Sequence, residues 1–358
     1  MAKTTVAVLF GGRSNEHAIS CVSAGNVMAA IDRSKYDVVP VGITTDGKWL
    51  LQSEDINLSI VEGRLPAITS GHALHVSSVP GAAITGSELL SRIDVVFPLL
   101  HGPWGEDGTI QGFLELAAIP YVGSGVYASA ASMDKVHMKS AFRAAGLPVG
   151  EYAAVLPREW ESSRAAVLAR LAALPFPLFV KPARAGSSVG ITKVKDPTEL
   201  EAAIDVARRH DPKVIIEVGI EPAREIECAV LVDRGGTARA SVLGEIKVDA
   251  AHEFYDFDAK YLDDGAELVV PAALPDDLAN RVQQLAVQAF EALDCEGLAR
   301  VDFFVRTDGQ VILNEVNTMP GFTPISMFPR LWAATGVTYA ELIDVLISDA
   351  LRRGTGLR

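Results

Sequence analysis

Ala299-Arg300-Val301-Asp302-Phe303-Phe304-Val305-Arg306-Thr307-Asp308-Gly309-Gln310-Val311-Ile312-Leu313-Asn314-Glu315-Val316-Asn317 reads as two β-strands folded back around a tight turn. Asp308-Gly309 between two alternating apolar runs is a strong two-residue hairpin signal, and a turn fixes register. With Thr307 paired to Gln310, Asp302 falls opposite Glu315 and Arg300 opposite Asn317. Side chains alternate with a period of two, so all four share one face. Carboxylates facing each other across a strand pair repel, so this face calls for a cation. Oxygen donors alone suit Mg²⁺, which keeps waters and shares its shell with substrate phosphate. The alternative is a solvated strand face on which Arg300 neutralises the acids.

Working outward, Lys181-Pro182-Ala183-Arg184-Ala185-Gly186-Ser187-Ser188-Val189-Gly190 is a Gly and Ser loop between expected strands at 176–182 and 191–194. Small residues let backbone N–H groups close around phosphate oxygens, and Lys181 adds charge at the end of its strand. The plainer reading is a hairpin loop. No Gly-Lys-Ser/Thr follows, so this is not a Walker loop, and Gly11-Gly12 lacks the Gly-x-Gly-x-x-Gly spacing of a dinucleotide site. Further polar loops are Gly11-Gly12-Arg13-Ser14-Asn15-Glu16-His17, the segment 101–108 and the segment 254–261, where Glu, His, Lys and Tyr stand among small residues. Loops of this kind commonly carry sites, although each taken singly is more often only a surface turn. The other histidines, His72, His75, His137, His210 and His252, show no metal-ligand spacing.

The remaining chain is organised as α/β. Residues 6–10 are an apolar run stopped by Gly11-Gly12 and followed by a helical pattern through Val22, Val27, Met28 and Ile31. Strands at 36–43 and 93–100 and a helix at 112–118 complete a first doubly wound unit of parallel strands. Residues 45–91 show no sustained period and read as irregular with a hairpin. Ser132 is the expected N-cap of a helix ending at Gly146, a second helix is expected near 198–209, and this unit's sheet ends near Glu217. Strands at 225–232 and 242–248 and an amphipathic helix at 277–293 lead into the hairpin.

Composition bounds the function. The 358 residues are 49% hydrophobic and 22% charged, as in a globular protein of two or three domains. A net charge of −13 argues against binding nucleic acid or an anionic membrane, while leaving room for a local cationic pocket. Cys21, Cys228 and Cys295 form no Cys-x-x-Cys pair, and no signal-peptide core or membrane-length apolar run is visible, so the expected location is the cytoplasm.

In order along the chain, 11–17, 101–108, Ser132-Met133-Asp134-Lys135, 181–190, Arg224-Glu225-Ile226-Glu227, 255–261, Arg300-Val301-Asp302 and Asn314-Glu315-Val316-Asn317-Thr318-Met319-Pro320-Gly321 resemble the D-alanyl-D-alanine ligase family of the ATP-grasp superfamily, nearly end to end. That resemblance implies an ATP-grasp fold in three units, 1–132, 133–216 and 217–358, with nucleotide clamped between the second and third. It implies an ADP-forming ligase that joins two D-alanines through an acyl phosphate. Its cofactors are ATP and two Mg²⁺ ions, which Mn²⁺ can replace, with a monovalent cation as an open addition; a homodimer is the family pattern.

By the same resemblance Asp302, Glu315 and Asn317 hold the metals, while Lys135, Lys181, Ser187, Ser188 and Gly190 surround the phosphates and Lys260 reaches the γ-phosphate. Glu217, Val218, Ile220 and Glu225 lie at adenine and ribose, with Val218 standing where the family often has lysine. Glu16 receives the first ammonium beside His101, Arg300 and the Gly321 N–H stabilise the oxyanion, and Ser326 takes the second carboxylate. Glu16, Ser187 and Tyr261 form a hydrogen-bonded triad, and tyrosine at 261 goes with an amine acceptor. A D-alanine:D-lactate ligase and a catalytically silent nucleotide-binding protein are the competing readings.

Overall fold

The structure is a computed structural model and describes residues 3–61, 63–80, 84–85, 93–248 and 266–356. The first unit runs β1 (Thr4–Gly11), α1 (His17–Ala30), β2 (Tyr36–Ile43), β3 (Trp49–Leu51), β4 (His72–Ala73), β5 (His75–Val76), β6 (Ile84–Thr85), β7 (Val95–Pro98) and α2 (Thr109–Leu116). β1 pairs in parallel with β2 and β7, and β3 and β4 add an antiparallel edge, giving the order β4-β3-β2-β1-β7. The continuous apolar run of β1 follows from burial on both faces: Val6, Val8 and Phe10 pack towards α1, and Ala7 and Leu9 towards α2. The described residues of 45–91 include the small strands β3 to β6, of which β5 and β6 pair antiparallel.

Next come α3 (Val126–Met133), α4 (Lys135–Ala144), β8 (Tyr152–Val155), α5 (Pro157–Leu171), β9 (Leu178–Pro182), β10 (Thr192–Val194), α6 (Leu200–Arg208) and β11 (Val214–Val218). The expected cap of α4 is corrected: its N-cap is Asp134, whose carboxylate accepts from the N–H groups of Val136 and His137. Ser132 is buried at the end of α3, its hydroxyl 3.9 Å from Cys295 Sγ. Two residues with capping chemistry lie two apart, and the carboxylate captures the free N–H groups. Gly146 closes the segment with φ +74°, a conformation that favours glycine.

The last part contains β12 (Ala223–Val232), β13 (Ala238–Val248), β14 (Ala266–Val269), α7 (Asp276–Ala292), β15 (Leu298–Arg306), β16 (Val311–Asn317), α8 (Met327–Ala334) and α9 (Tyr339–Arg353). Two antiparallel sheets result, β10-β9-β11-β8 and β14-β13-β12-β15-β16. The four-stranded sheet has its own core of Trp160, Leu178, Val180, Ile204 and Ile216. α8 and α9 instead share one core with β1 and α1, through Phe10, Val27, Phe322, Leu331 and Leu346. α4 sends Met138 and Phe142 into the core of the five-stranded sheet, so the expected boundary at 133 falls within a helix pair that packs there. All three cysteines are buried and unpaired, their thiols pushed up to about 12 by desolvation. No single helix among the described residues is long and apolar enough to cross a membrane.

Candidate active site

The hairpin of β15 and β16 places Arg300 opposite Asn317 and Asp302 opposite Glu315, as the sequence predicts, but by a different route. The turn holds three residues, not two: Arg306 N–H donates to Gln310 O at 2.9 Å, with Gly309 in the left-handed region at φ +82°. From that turn Phe303 pairs with Leu313, and a β-bulge between Asp302 and Phe303 absorbs Asn314 and restores the expected partners. Without the bulge the pleat would turn Glu315 into the core and Val316 into the cleft. Leu313 and Val316 are instead both buried.

This face lines a cleft of about 970 Å³ between the two antiparallel sheets. Asp302 accepts a two-pronged hydrogen bond from Arg300, at 2.8 and 2.7 Å, and a third from Asn317 Nδ2 at 3.0 Å. Arg300 Nε is also 3.1 Å from Glu227, which enters the same face from β12. Burial alone would lower the guanidinium's pKa, but Asp302 and Glu227 hold it well above its ordinary value. Glu315 pairs with Lys135 Nζ at 3.1 Å. Desolvation opposes the Lys135 charge, and Glu315 more than offsets it, so its pKa is raised.

Across the cleft, Lys181 on β9 and Lys139 on α4 both grip Glu217 on β11, at 2.6 and 2.7 Å. Burial would raise the Glu217 carboxyl, yet Lys139 and Lys181 hold it well below the usual carboxylate range. Lys139 also donates to the carbonyl of Asn314, the bulged residue, at 2.9 Å. Val218, Ile220 and Glu225 line the same end of the cleft. The loop 186–190 lines it with Ser187, Ser188 and Gly190 all at positive φ, and the Val189 N–H donates to Gly186 O at 3.2 Å.

Ser187 Oγ donates to Glu16 Oε1 at 2.5 Å, joining two segments 171 residues apart. Glu16 precedes α1 but caps no N–H there, so its carboxylate is turned to the cleft. Gly102 is needed beside it: at φ +73° a Cβ would lie 2.5 Å from Glu16 Oε2. His101 is buried, with Nδ1 3.0 Å from Met319 O and Nε2 3.1 Å from Ser23 Oγ. A carbonyl only accepts, so Nδ1 carries the hydrogen and the serine hydroxyl donates to Nε2. Burial lowers the imidazole pKa against the pull of Glu16, in keeping with this neutral form. Glu106 is pushed up to about 8, by burial and then by the charge of Glu16. Gly321 and Ser326 line the same end, Ser326 Oγ lying 2.8 Å from Thr323 Oγ1. Lys260 and Tyr261 lie outside the described residues.

The residues fit the expected ligands chemically. Asp302, Glu315 and Asn317 offer oxygen donors only, the set that hard divalent cations take. Among the described residues no three His, Cys, Asp or Glu side chains converge as a metal site. Lys139, Glu227 and Glu106 were not singled out as site residues by sequence. Their signals were present: Lys139 stands one helical turn after Lys135, and Glu227 one strand period after Glu225.

The chain is similar to known proteins along nearly its whole length. The family models described as D-ala D-ala ligase N-terminus and C-terminus match residues 5–124 and 141–348. The chain is 54% identical over 372 residues to the D-alanine--D-alanine ligase of Mycobacterium sp. (strain KMS), covering 99% of this chain and 98% of that one. With the corresponding protein of Paenarthrobacter aurescens (strain TC1) identity is 55% over 365 residues, covering 99% and 96%. The solved D-alanine-D-alanine ligase from Coxiella burnetii superposes with TM-score 0.83 at 35% identity, covering 99% and 95%. VanG D-Ala:D-Ser ligase from Enterococcus faecalis does so with TM-score 0.82 at 35% identity, covering 98% and 100%.

Proposed function

The chain belongs to the D-alanine–D-alanine ligase family, and from that premise we propose that it joins two D-alanines with ATP, forming ADP, phosphate and D-alanyl-D-alanine for peptidoglycan synthesis. The observation that carries the roles of individual residues is the facing of Lys135, Lys139 and Lys181 against Asp302 and Glu315 across one cleft. Phosphoryl transfer needs positioning and charge stabilisation more than covalent help.

The first D-alanine lies with its ammonium at Glu16, and its carboxylate attacks the γ-phosphorus of ATP to give an acyl phosphate and ADP. Lys135 and Lys181 take the α- and β-phosphate charge, Ser187 and Ser188 close over it, and Lys260 reaches the γ-phosphate. Glu217, Val218 and Ile220 contact adenine and Glu225 the ribose. Asp302, Glu315 and Asn317 would hold two Mg²⁺ ions, or Mn²⁺ in their place, which neutralise charge on the phosphate oxygens when bound. The second amine then attacks the acyl carbon, the carbonyl oxygen becomes an oxyanion facing Arg300 and the Gly321 N–H, and phosphate leaves. Ser326 takes the second carboxylate. The segment carrying Tyr261 completes the triad with Ser187 and Glu16 and excludes water from the acyl phosphate.

Units 1–132, 133–216 and 217–358 are the working division, and the enzyme acts as a cytoplasmic homodimer. Phosphate release from ATP and Mg²⁺ with D-alanine, L-alanine, D-serine or D-lactate, with products weighed by mass spectrometry, tests the function. D-alanine-dependent release with formation of the dipeptide supports it; release with L-alanine, or none with D-alanine, refutes it. Adding K⁺ to the same assay decides whether a monovalent cation activates.

A further inference from the structure

We propose that Glu106 is a positioning residue: together with His101 it grips the Met319 backbone from both sides and thereby aims the Gly321 N–H at the reacting carbon. The inference rests on the reading above, in which that N–H stabilises the oxyanion. Glu106 Oε1 accepts the Met319 N–H at 3.2 Å, and His101 Nδ1–H donates to the Met319 carbonyl at 3.0 Å. Both backbone polar groups of one residue are thus held by side chains of the loop that follows β7. The other Glu106 oxygen accepts the Gly102 N–H at 2.5 Å, so the carboxyl is itself fixed to that loop. His101 is steadied in turn by Ser23 on α1, and its own carbonyl accepts from Ser14 Oγ at 2.7 Å.

The path from this grip to the donor is short. The held carbonyl fixes the plane of the Met319–Pro320 peptide, and the proline ring fixes φ at residue 320 near −65°. One soft torsion, ψ of Pro320, then separates the gripped plane from the peptide that carries the Gly321 N–H. Met319 is 6% exposed and buried in the core shared by β1 and α8, so its side chain resists compensating rotation. Glu106 lines the cleft beside Glu16 and Arg300, while the hydrogen bonds it makes among the described residues, to the Gly102 and Met319 N–H groups, both go to backbone.

The test separates the two chemical steps in Glu106→Gln and Glu106→Asp. The glutamine sets an NH₂ donor against one of two N–H donors, and the aspartate is one methylene too short to meet both. ADP formation in the first turnover reports phosphoryl transfer, and dipeptide formation reports attack through the oxyanion. Expected are an ADP burst and an ATP KM within twofold of the parent, with dipeptide formation slowed roughly 10- to 100-fold, below the loss on deleting an oxyanion donor outright. If the glutamine variant does not fold, the aspartate variant, which keeps the carboxyl group, decides. Equal loss in both steps, or dipeptide formation within twofold of the parent, overturns the grip. A parent without D-alanine-dependent ADP formation overturns the functional reading, and the grip with it.

Discussion

Replacing Lys139 by methionine removes the ammonium that ties the two antiparallel sheets together at the back of the cleft. The side chain is 4% exposed and holds Glu217 at 2.7 Å and the Asn314 carbonyl at 2.9 Å. Breaking a buried ion pair costs about 3–5 kcal/mol when a charge is orphaned, but Glu217 keeps Lys181 at 2.6 Å, so this part falls to about 1–2 kcal/mol. The carbonyl loses a charged donor, a bond worth about 1.5–3 kcal/mol. The sum is about 2.5–5 kcal/mol. At roughly 2 °C per kcal/mol for a large chain, the Tm falls by about 5–10 °C.

Because Glu217 is held below its ordinary value of 4.5, the stabilisation it draws from its partners is complete above that pH and is lost as the solution becomes more acidic. The Tm gap between parent and variant is therefore constant from pH 8 to 5 and narrows below. Differential scanning fluorimetry across this range measures it, and a double cycle with Glu217→Gln isolates the pair, with a coupling above about 1 kcal/mol. A Lys139→Met protein within about 0.5 kcal/mol of the parent, or additive single changes, would refute the reasoning.

Three further changes test the site. Glu315→Gln keeps the fold and abolishes Mg²⁺-dependent ADP formation; normal turnover in the folded variant removes the metal face. Tyr261→Phe raises D-lactate use relative to D-alanine, read as the ratio of depsipeptide to dipeptide, and an unchanged ratio ends the acceptor argument. Gly102→Ala sets a Cβ 2.5 Å from Glu16 Oε2 at φ +73°, and the strain and displacement together are worth about 1–3 kcal/mol. D-alanine KM should rise more than tenfold with ATP KM little changed; equal KM values for D-alanine would show that Glu16 does not meet it.

The shared face of Arg300, Asp302, Glu315 and Asn317 was legible in the sequence, and the way it was legible is instructive. The Asp308-Gly309 dipeptide led to the right partners through a turn one residue too short, and the bulge at Asn314 cancelled that error. The bulge had left its own trace: Val301, Phe303 and Val305 alternate evenly, whereas Leu313 and Val316 are three apart. Two buried positions three apart in a strand require one extra residue between them. Helix starts were less legible, because Ser132 and Asp134 offer the same capping chemistry and tertiary packing chose between them. The strands β3 to β6 hold two or three residues each and depend on a neighbouring edge, which no local period records. Contacts such as Ser187 with Glu16 join distant segments and were reached through family resemblance, not spacing.

The division of cores has a mechanical consequence. Glu16, Arg300 and Gly321 stand on elements whose apolar side chains interlock from β1 through α1 to α8, whereas Lys181 rides on a sheet with a separate core. The contacts named between that sheet and its surroundings are polar: Lys139 with Glu217, Lys213 with Asp134, Ser187 with Glu16. An interlocked core resists relative displacement, because close-packed side chains cannot shift without opening voids. On the residue roles proposed above, the side that meets the amino acids holds its internal spacings through one shared core, and the sheet that carries Lys181 is joined to it through the polar contacts just named. Under that proposal, alignment of amine, acyl carbon and oxyanion donors is inherited from folding and need not be rebuilt in each catalytic cycle.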